Sequence, residues 1–125
     1  MRAMVFAAGF GTRMRPVSEH LPKPAIPFLG RPLIAHLYDW LLGHGVDEVV
    51  INLHHLADRM RRIATVWRPA GLTVHFSQEE EILGTGGGLM LAREYFQDQA
   101  DFLVVNGDIY TELDVRPAIT QHRES

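Results

Sequence analysis

The sequence contains no cysteine, which excludes disulfides and thiolate metal sites. It has no long apolar run. Stretches such as Val49-Val50-Ile51 and Leu103-Val104-Val105 fall far short of the roughly 20 residues that a membrane-spanning helix needs. No charged segment followed by an apolar one opens the chain, so no secretory signal is read there. Positive charge is not in excess. The formal net charge is −3 and no basic face stands out, which argues against nucleic acid as the main ligand. Lysine is nearly missing, with Lys23 alone among 12 basic residues. What is present is an ordinary globular mixture, 46% apolar and 22% charged, which excludes disordered, collagen-like and mucin-like chains. At 125 residues the chain is shorter than an average domain of roughly 150 residues. It is still long enough for one core, burying about two-thirds of its unfolded surface.

Ala3 to Ala8 is a short apolar run ending at Gly9 and reads as a buried strand. Residues 10–30 hold Gly11, Pro16, Pro22, Pro24, Pro27 and Gly30, which fix turns and forbid a long helix. Pro32 to Gly43 places Leu33, Leu37, Trp40 and Leu41 at helical spacing behind an initial proline. Glu48 to Leu53 is a second strand. Leu56 to Trp67 is a second helix with Leu56, Met60, Ile63 and Trp67 on one face and Arg59, Arg61 and Arg62 on the solvated one. Leu72 to Phe76 alternates as a third strand, Gly86 to Phe96 follows as a helix with Leu89 and Ala92 inward, and Phe102 to Val105 is a fourth strand. Asp114 to His122 starts a last helix. Strands alternating with helices predict parallel βαβ units, right-handed crossovers and helices on both sheet faces. Ligands then sit beyond the carboxyl ends of the strands. The residues there are Gly9 to Arg13, Gln78 to Gly88 and Asn106 to Asp108.

Ala7 to Pro16 carries the densest chemistry. Glycines after a strand let backbone N–H groups approach an anion closely. Met14 stands where a dinucleotide fingerprint needs its third glycine, and no Gly-Lys-Ser/Thr follows to make a Walker loop. Arg13 supplies a cation beside the glycines instead. Lys23 supplies a second, aimed by Pro22 and Pro24. A glycine turn with two cations suits a polyphosphate. Asp108 follows a buried strand and Gly107, with Asn106 and Tyr110 beside the same mouth. Gln78 offers a donor and an acceptor that match the edge of a pyrimidine base. Glu79-Glu80-Glu81 reads as a solvated or loosely gating segment. His54-His55 has no third ligand spaced for zinc, and Trp40 and Trp67 read as helix packing.

Ala8-Gly9-Phe10-Gly11-Thr12-Arg13-Met14-Arg15-Pro16 followed by Pro22-Lys23-Pro24 resembles the signature of the sugar-1-phosphate nucleotidyltransferases. The likeness continues through Gly30-Arg31-Pro32-Leu33-Ile34, Leu83-Gly84-Thr85-Gly86-Gly87 and Val105-Asn106-Gly107-Asp108. Glu81 to Gly88 and Val104 to Thr111 are similar to the N-acetylmuramate-1-phosphate uridylyltransferases. Mannose-1-phosphate guanylyltransferases and glucose-1-phosphate nucleotidyltransferases share most of the pattern. The resemblance implies a Rossmann-like, doubly wound, mainly parallel sheet. It also implies a reaction in which a sugar-1-phosphate oxygen attacks the α-phosphorus of a nucleoside triphosphate, UTP in the closest subgroup, and pyrophosphate leaves.

By that likeness Ala8, Gly9, Gly11, Thr12 and Arg13 hold the triphosphate, and Lys23 lies near the reacting phosphates. Gln78 and a backbone group at Gly84 read the base, and Asp108 holds Mg²⁺. The nucleophile is an anion near neutral pH, since a second phosphate ionisation lies at about 6, so no general base is required. The same likeness implies a cytoplasmic enzyme with neither nucleic acid nor membrane as partner. Family members are longer. Residues 1–125 therefore read as the nucleotide-binding part of one truncated nucleotidyltransferase domain, without the sugar-binding part. An open sheet edge is expected to favour self-association. Two other classes compete: a nucleotide-binding module without turnover, disfavoured by the retained Arg13, Lys23 and Asp108, and a nicotinamide-dependent oxidoreductase, disfavoured by Met14.

Overall fold

The architecture comes from a computed structural model in which residues 1–9 and 20–125 are described. Gly11, Thr12 and Arg13, expected at the phosphates, lie outside the described residues. The chain runs β1 (Arg2–Phe6), a 3-10 turn (Lys23–Ala25), β2 (Pro27–Phe28), β3 (Arg31–Pro32), α1 (Leu33–Gly43), β4 (Glu48–Leu53) and α2 (Ala57–Val66). It continues with β5 (Thr73–Gln78), α3 (Gly84–Leu91), a 3-10 turn (Arg93–Tyr95), β6 (Leu103–Asn106) and α4 (Arg116–Glu124).

The main sheet has the order β5-β4-β1-β6 and every pairing in it is parallel. Alternation along the strands gives it two apolar faces. Ala3, Val5, Val49 and Ile51 turn to one face, in one cluster with Leu37, Tyr38 and Leu41 of α1 and Met60 and Ala64 of α2. Met4 and Val50 turn to the other face and meet Ala92 and Phe96 from the stretch after α3. The sheet is thus covered on both faces, as the βαβ pattern predicts. Each fully buried aliphatic side chain contributes about 1.5–3 kcal/mol. The buried Tyr38 hydroxyl donates to the Ala64 carbonyl at 2.9 Å and ties α1 to α2. Burial pushes its phenol above the ordinary value.

The chain steps from β1 to β4 to β5 on one side, then returns to set β6 on the far side of β1. The strand order reverses between β1 and β6, which is where open α/β sheets bind ligands. The separate β2–β3 hairpin closes through Leu29 and Gly30, both at positive φ (50° and 80°). This is the pattern that a two-residue hairpin turn demands.

Several boundaries differ from the sequence reading. The third strand runs two residues further, to Gln78, because pairing with β4 continues to Leu53. The second helix begins at Ala57, since Leu56 adopts a left-handed conformation at its N-cap. The third helix covers Gly84–Leu91 and gives way to the 3-10 turn before Phe96; its four glycines hold a helix weakly. The last begins at Arg116, whose backbone N–H is taken by the Asp114 carboxylate at 3.0 Å. Trp40 packs on the core, and its indole N–H donates to Leu113 at 2.8 Å. Trp67 does not pack inward as expected: it sits past the last turn of α2, 40% exposed, beneath the Arg31 guanidinium. Among the described residues no helix is long and apolar enough to cross a membrane.

Candidate functional site

The carboxyl ends of β1, β4, β5 and β6 surround a cavity of about 320 Å³. Of the residues expected at a nucleotide, Ala8, Gly9, Lys23, Gly84, Asn106 and Asp108 all line it. They come from four separate stretches of chain, brought together by the crossover at β1 and β6.

The two charged groups are set by a close backbone approach. Gly107 N–H donates to the Phe6 carbonyl at 2.9 Å, carrying the β1–β6 pairing one residue past the strand. A Cβ on Gly107 would meet Pro24 Cγ at 2.9 Å, the Phe6 carbonyl oxygen at 3.0 Å and Val5 Cγ1 at 3.2 Å. Glycine is needed here for space. Pro24 lies in the 3-10 turn that begins at Lys23, closed by Ala25 N–H to Pro22 O and Ile26 N–H to Lys23 O. Packing of that turn on Gly107 leaves Lys23 Nζ 3.4 Å from Asp108 Oδ2. Both side chains keep about a third of their surface in water, so a ligand can reach them.

The far wall starts at Gly84, whose φ of +71° turns the chain into α3. Thr85 stands beside it on the cavity. A Cβ on Gly88, one turn later, would lie 2.6 Å from Glu79 Oε1 and 3.1 Å from Asn52 Nδ2. The helix therefore presses directly on a polar pair that the sequence reading did not foresee. Asn52 is buried, accepts the Ala7 N–H at 2.6 Å and donates to Glu79 Oε1 at 3.0 Å. The chain leaving β1 toward Gly9 is thereby tied to the ends of β4 and β5.

Glu79 corrects an expectation. It is 2% exposed and lines the cavity, not a solvated acidic segment. Its N–H donates to Leu53 O at 2.7 Å and its carbonyl accepts from His54 Nδ1 at 2.9 Å. These bonds extend strand alternation one residue beyond β5, which turns Glu79 to the α3 face. The same alternation turns Gln78 the other way. Its Oε1 accepts from Arg61 of α2 at 3.3 Å, and it does not line the cavity. Tyr110 also stays outside, packing against Phe28 and His36 with ring centroids 4.9 and 5.4 Å away. One signal for Asn52 was in the sequence: an amide within Val49-Val50-Ile51-Asn52-Leu53 must be paired when that strand is buried. Among the described residues no group of three or more His, Cys, Asp or Glu is placed to hold a metal.

The family model described as "Nucleotidyl transferase" matches residues 2–125. A UTP–glucose-1-phosphate uridylyltransferase of Synechocystis sp. is 36% identical over 99% of this chain and 34% of its own length. The catalytic subunit beta of mannose-1-phosphate guanylyltransferase from Xenopus tropicalis is 30% identical over 98% of the chain and 35% of its length. The crystal structure of HddC from Yersinia pseudotuberculosis complexed with GMP-PN superposes with a TM-score of 0.85 at 34% identity. It covers 96% of this chain and 53% of that one. The chain thus spans about a third of the curated relatives it matches and about half of that solved structure.

Proposed function

The chain belongs to the nucleotidyl transferase family, and we propose that residues 1–125 are the nucleotide-binding part of a sugar-1-phosphate nucleotidyltransferase domain. The observation that carries the reading is the cavity itself. A lysine and an aspartate face each other across the β1–β6 switch point, between the Ala8-Gly9 turn and the Gly84 turn. In the proposed reaction a sugar-1-phosphate oxygen bonds to the α-phosphorus of a nucleoside triphosphate as the bond to pyrophosphate breaks. Lys23 offsets charge on the reacting phosphates. By the likeness of the Ala8 to Pro16 motif, Ala8, Gly9, Gly11, Thr12 and Arg13 are assigned to the triphosphate. Positioning and charge stabilisation supply most of such catalysis.

The donor set fits Mg²⁺. Asp108 offers a hard carboxylate at the cavity, which Asn106 also lines, and this ion is commonly held by one or two carboxylates plus substrate phosphates. When bound, it supplies neutralisation of phosphate charge.

The finer reading, UTP with N-acetylmuramate 1-phosphate, is supported by the likeness of Glu81 to Gly88 and Val104 to Thr111. The alternative, a guanylyltransferase of the mannose-1-phosphate type, is favoured by one observation: Gln78, on which pyrimidine reading rested, faces α2. Pyrophosphate release from GTP and UTP with a panel of sugar 1-phosphates tests the proposal. Release that requires a sugar 1-phosphate supports the enzyme. In a protein that also carries the sugar-binding part, triphosphate binding without release supports a binding module.

A further inference from the structure

From the geometry behind Gly9 we infer that Asn52 is a positioning residue for the phosphate turn, acting through the Ala7 backbone. The inference rests on the proposed nucleotide site and adds what holds that site in shape. A turn that binds phosphate through backbone N–H groups must point them before the ligand arrives. Gly9 has no packing of its own to do this. It is exposed, and a Cβ placed on it would meet nothing within 4 Å among the described residues. Its direction is therefore set where the chain leaves β1. The β1–β4 ladder ends at the pair Val5 and Ile51, while β4 continues beside β5 to Leu53. On its other side β1 pairs with β6 as far as Phe6. The next amide, Ala7 N–H, is taken by a side chain, Asn52 Oδ1 at 2.6 Å. Gly9 follows two residues later.

The surroundings hold the Asn52 amide in one orientation. Its strand lies between β1 and β5, so its backbone is fixed on both sides. Nδ2 donates to Glu79 Oε1 at 3.0 Å, which leaves Oδ1 to face Ala7. On the α3 side a Cβ on Gly88 would lie 3.1 Å from Nδ2, so the helix leaves the amide little room to swing. A backbone partner on β4 would have kept Ala7 in the plane of the sheet. A side-chain partner on the α3 side turns the chain out of that plane. Asn52 lines the cavity, but both ends of its amide are engaged within the protein, so it acts on a ligand through Ala7 and not by contact. An apolar residue would suit this 3% exposed place in a buried strand better, since a polar group there costs free energy unless it is bonded. Holding the Ala7 amide is what the amide side chain gains.

Titration calorimetry with GTP, UTP and their 5′-monophosphates in the presence of Mg²⁺ tests the inference, read as the ratio of triphosphate to monophosphate affinity. Base and ribose are common to both ligands, so the ratio isolates the phosphate turn. Asn52→Leu is expected to lower it by about tenfold or more, since a misplacement of about 1 Å in a site can cost about 10²-fold. Asn52→Leu/Glu79→Met also removes the stranded carboxyl, and replacing both members of a buried polar pair by apolar groups of similar shape is nearly neutral for stability. This double variant is expected to melt close to the parent and still to lose the ratio, a separation that a merely structural role does not produce. A folded variant that keeps the ratio within about threefold, less than a typical hydrogen bond is worth, overturns the inference. So does an equal loss of triphosphate and monophosphate, and in both cases the nucleotide site itself stands. Amide hydrogen exchange of the parent needs no variant. Ala7 N–H is expected to exchange slowly in the free protein, and exchange as fast as an exposed amide overturns the inference. No binding of either triphosphate by the parent overturns both the inference and the proposed function.

Discussion

Lys23 Nζ stands 3.4 Å from Asp108 Oδ2, across 85 residues of sequence. An ion pair this exposed contributes only about 0–1 kcal/mol to stability. Its placement on the cavity therefore matters more to function than to the fold. In the proposed enzyme, Lys23→Ala is expected to shift thermal stability little and to lower turnover by on the order of 10²-fold or more, as is Arg13→Ala. A single placed cation on a phosphoryl transition state is worth about 10³–10⁵ in related chemistry. Lys23→Arg is expected to fail as well, because a planar fork does not replace a compact charge. Pyrophosphate release within about threefold of the parent would remove Lys23 from this role.

Asp108→Asn keeps the shape of the side chain and removes its charge. The expected outcome is a weaker apparent affinity for Mg²⁺ and a lower rate, with an unchanged melting temperature. The check is a Mg²⁺ titration of the rate. Curves that overlay those of the parent would show that the carboxylate is not a ligand.

Gly107→Ala puts a methyl group against Phe6 O, Pro24 Cγ and Val5 Cγ1, all within 3.2 Å. One of these is backbone, so relief requires moving β6 away from β1. Overpacking of this kind costs about 1–3 kcal/mol. Urea denaturation is expected to show that loss, together with reduced nucleotide binding as Lys23 and Asp108 separate. Full stability in the variant would mean that Pro24 yields easily.

Asn52→Leu leaves the Ala7 N–H and Glu79 Oε1 without partners in a buried place. Each stranded group costs about 1–3 kcal/mol. A midpoint shift smaller than about 1 kcal/mol would show that water enters and replaces the amide.

Glu48 lies between Arg2 and His75 at the opposite end of the sheet. Hydrogen bonding to His75, then to Arg2, holds its carboxyl below the ordinary glutamate value. A lowered folded value means that the unfolded chain binds the proton more readily. The contribution is complete above the ordinary value of 4.5 and fades as pH falls through the lowered one. Melting curves taken downward from pH 5 are expected to drop less steeply for Glu48→Gln than for the parent. Parallel acid limbs would contradict the linkage.

The doubly wound sheet was legible because its signals are local. Apolar runs bounded by glycine mark the strands, and helical spacing such as Leu37 and Leu41 marks the faces that cover them. The cavity could be anticipated from the same logic, since Gly9, Lys23, Gly84 and Asp108 all lie at strand ends or in turns. Which of two neighbouring residues lines the cavity at the end of β5 was not legible: Glu79 does, and Gln78 does not. Whether Gln78 or Glu79 turns inward depends on how far β5 keeps pairing with β4. That is settled by Glu79 N–H reaching Leu53 O, a contact between segments 26 residues apart that no local pattern encodes. The need for glycine at 107 was likewise not legible, because it depends on Pro24 arriving from elsewhere in the chain.

With a single lysine in 125 residues, the chain carries one side-chain amine, and that amine faces the cavity beside Asp108. An acylating reagent thus has one internal target besides the amino terminus, and that target reports occupancy. The Met1 ammonium lies at the opposite end of β1, beside Gly45 and Asp47. Peptide mapping separates the two modifications cleanly. The arginine bias of the chain leaves a chemical handle at the place where the proposed chemistry occurs.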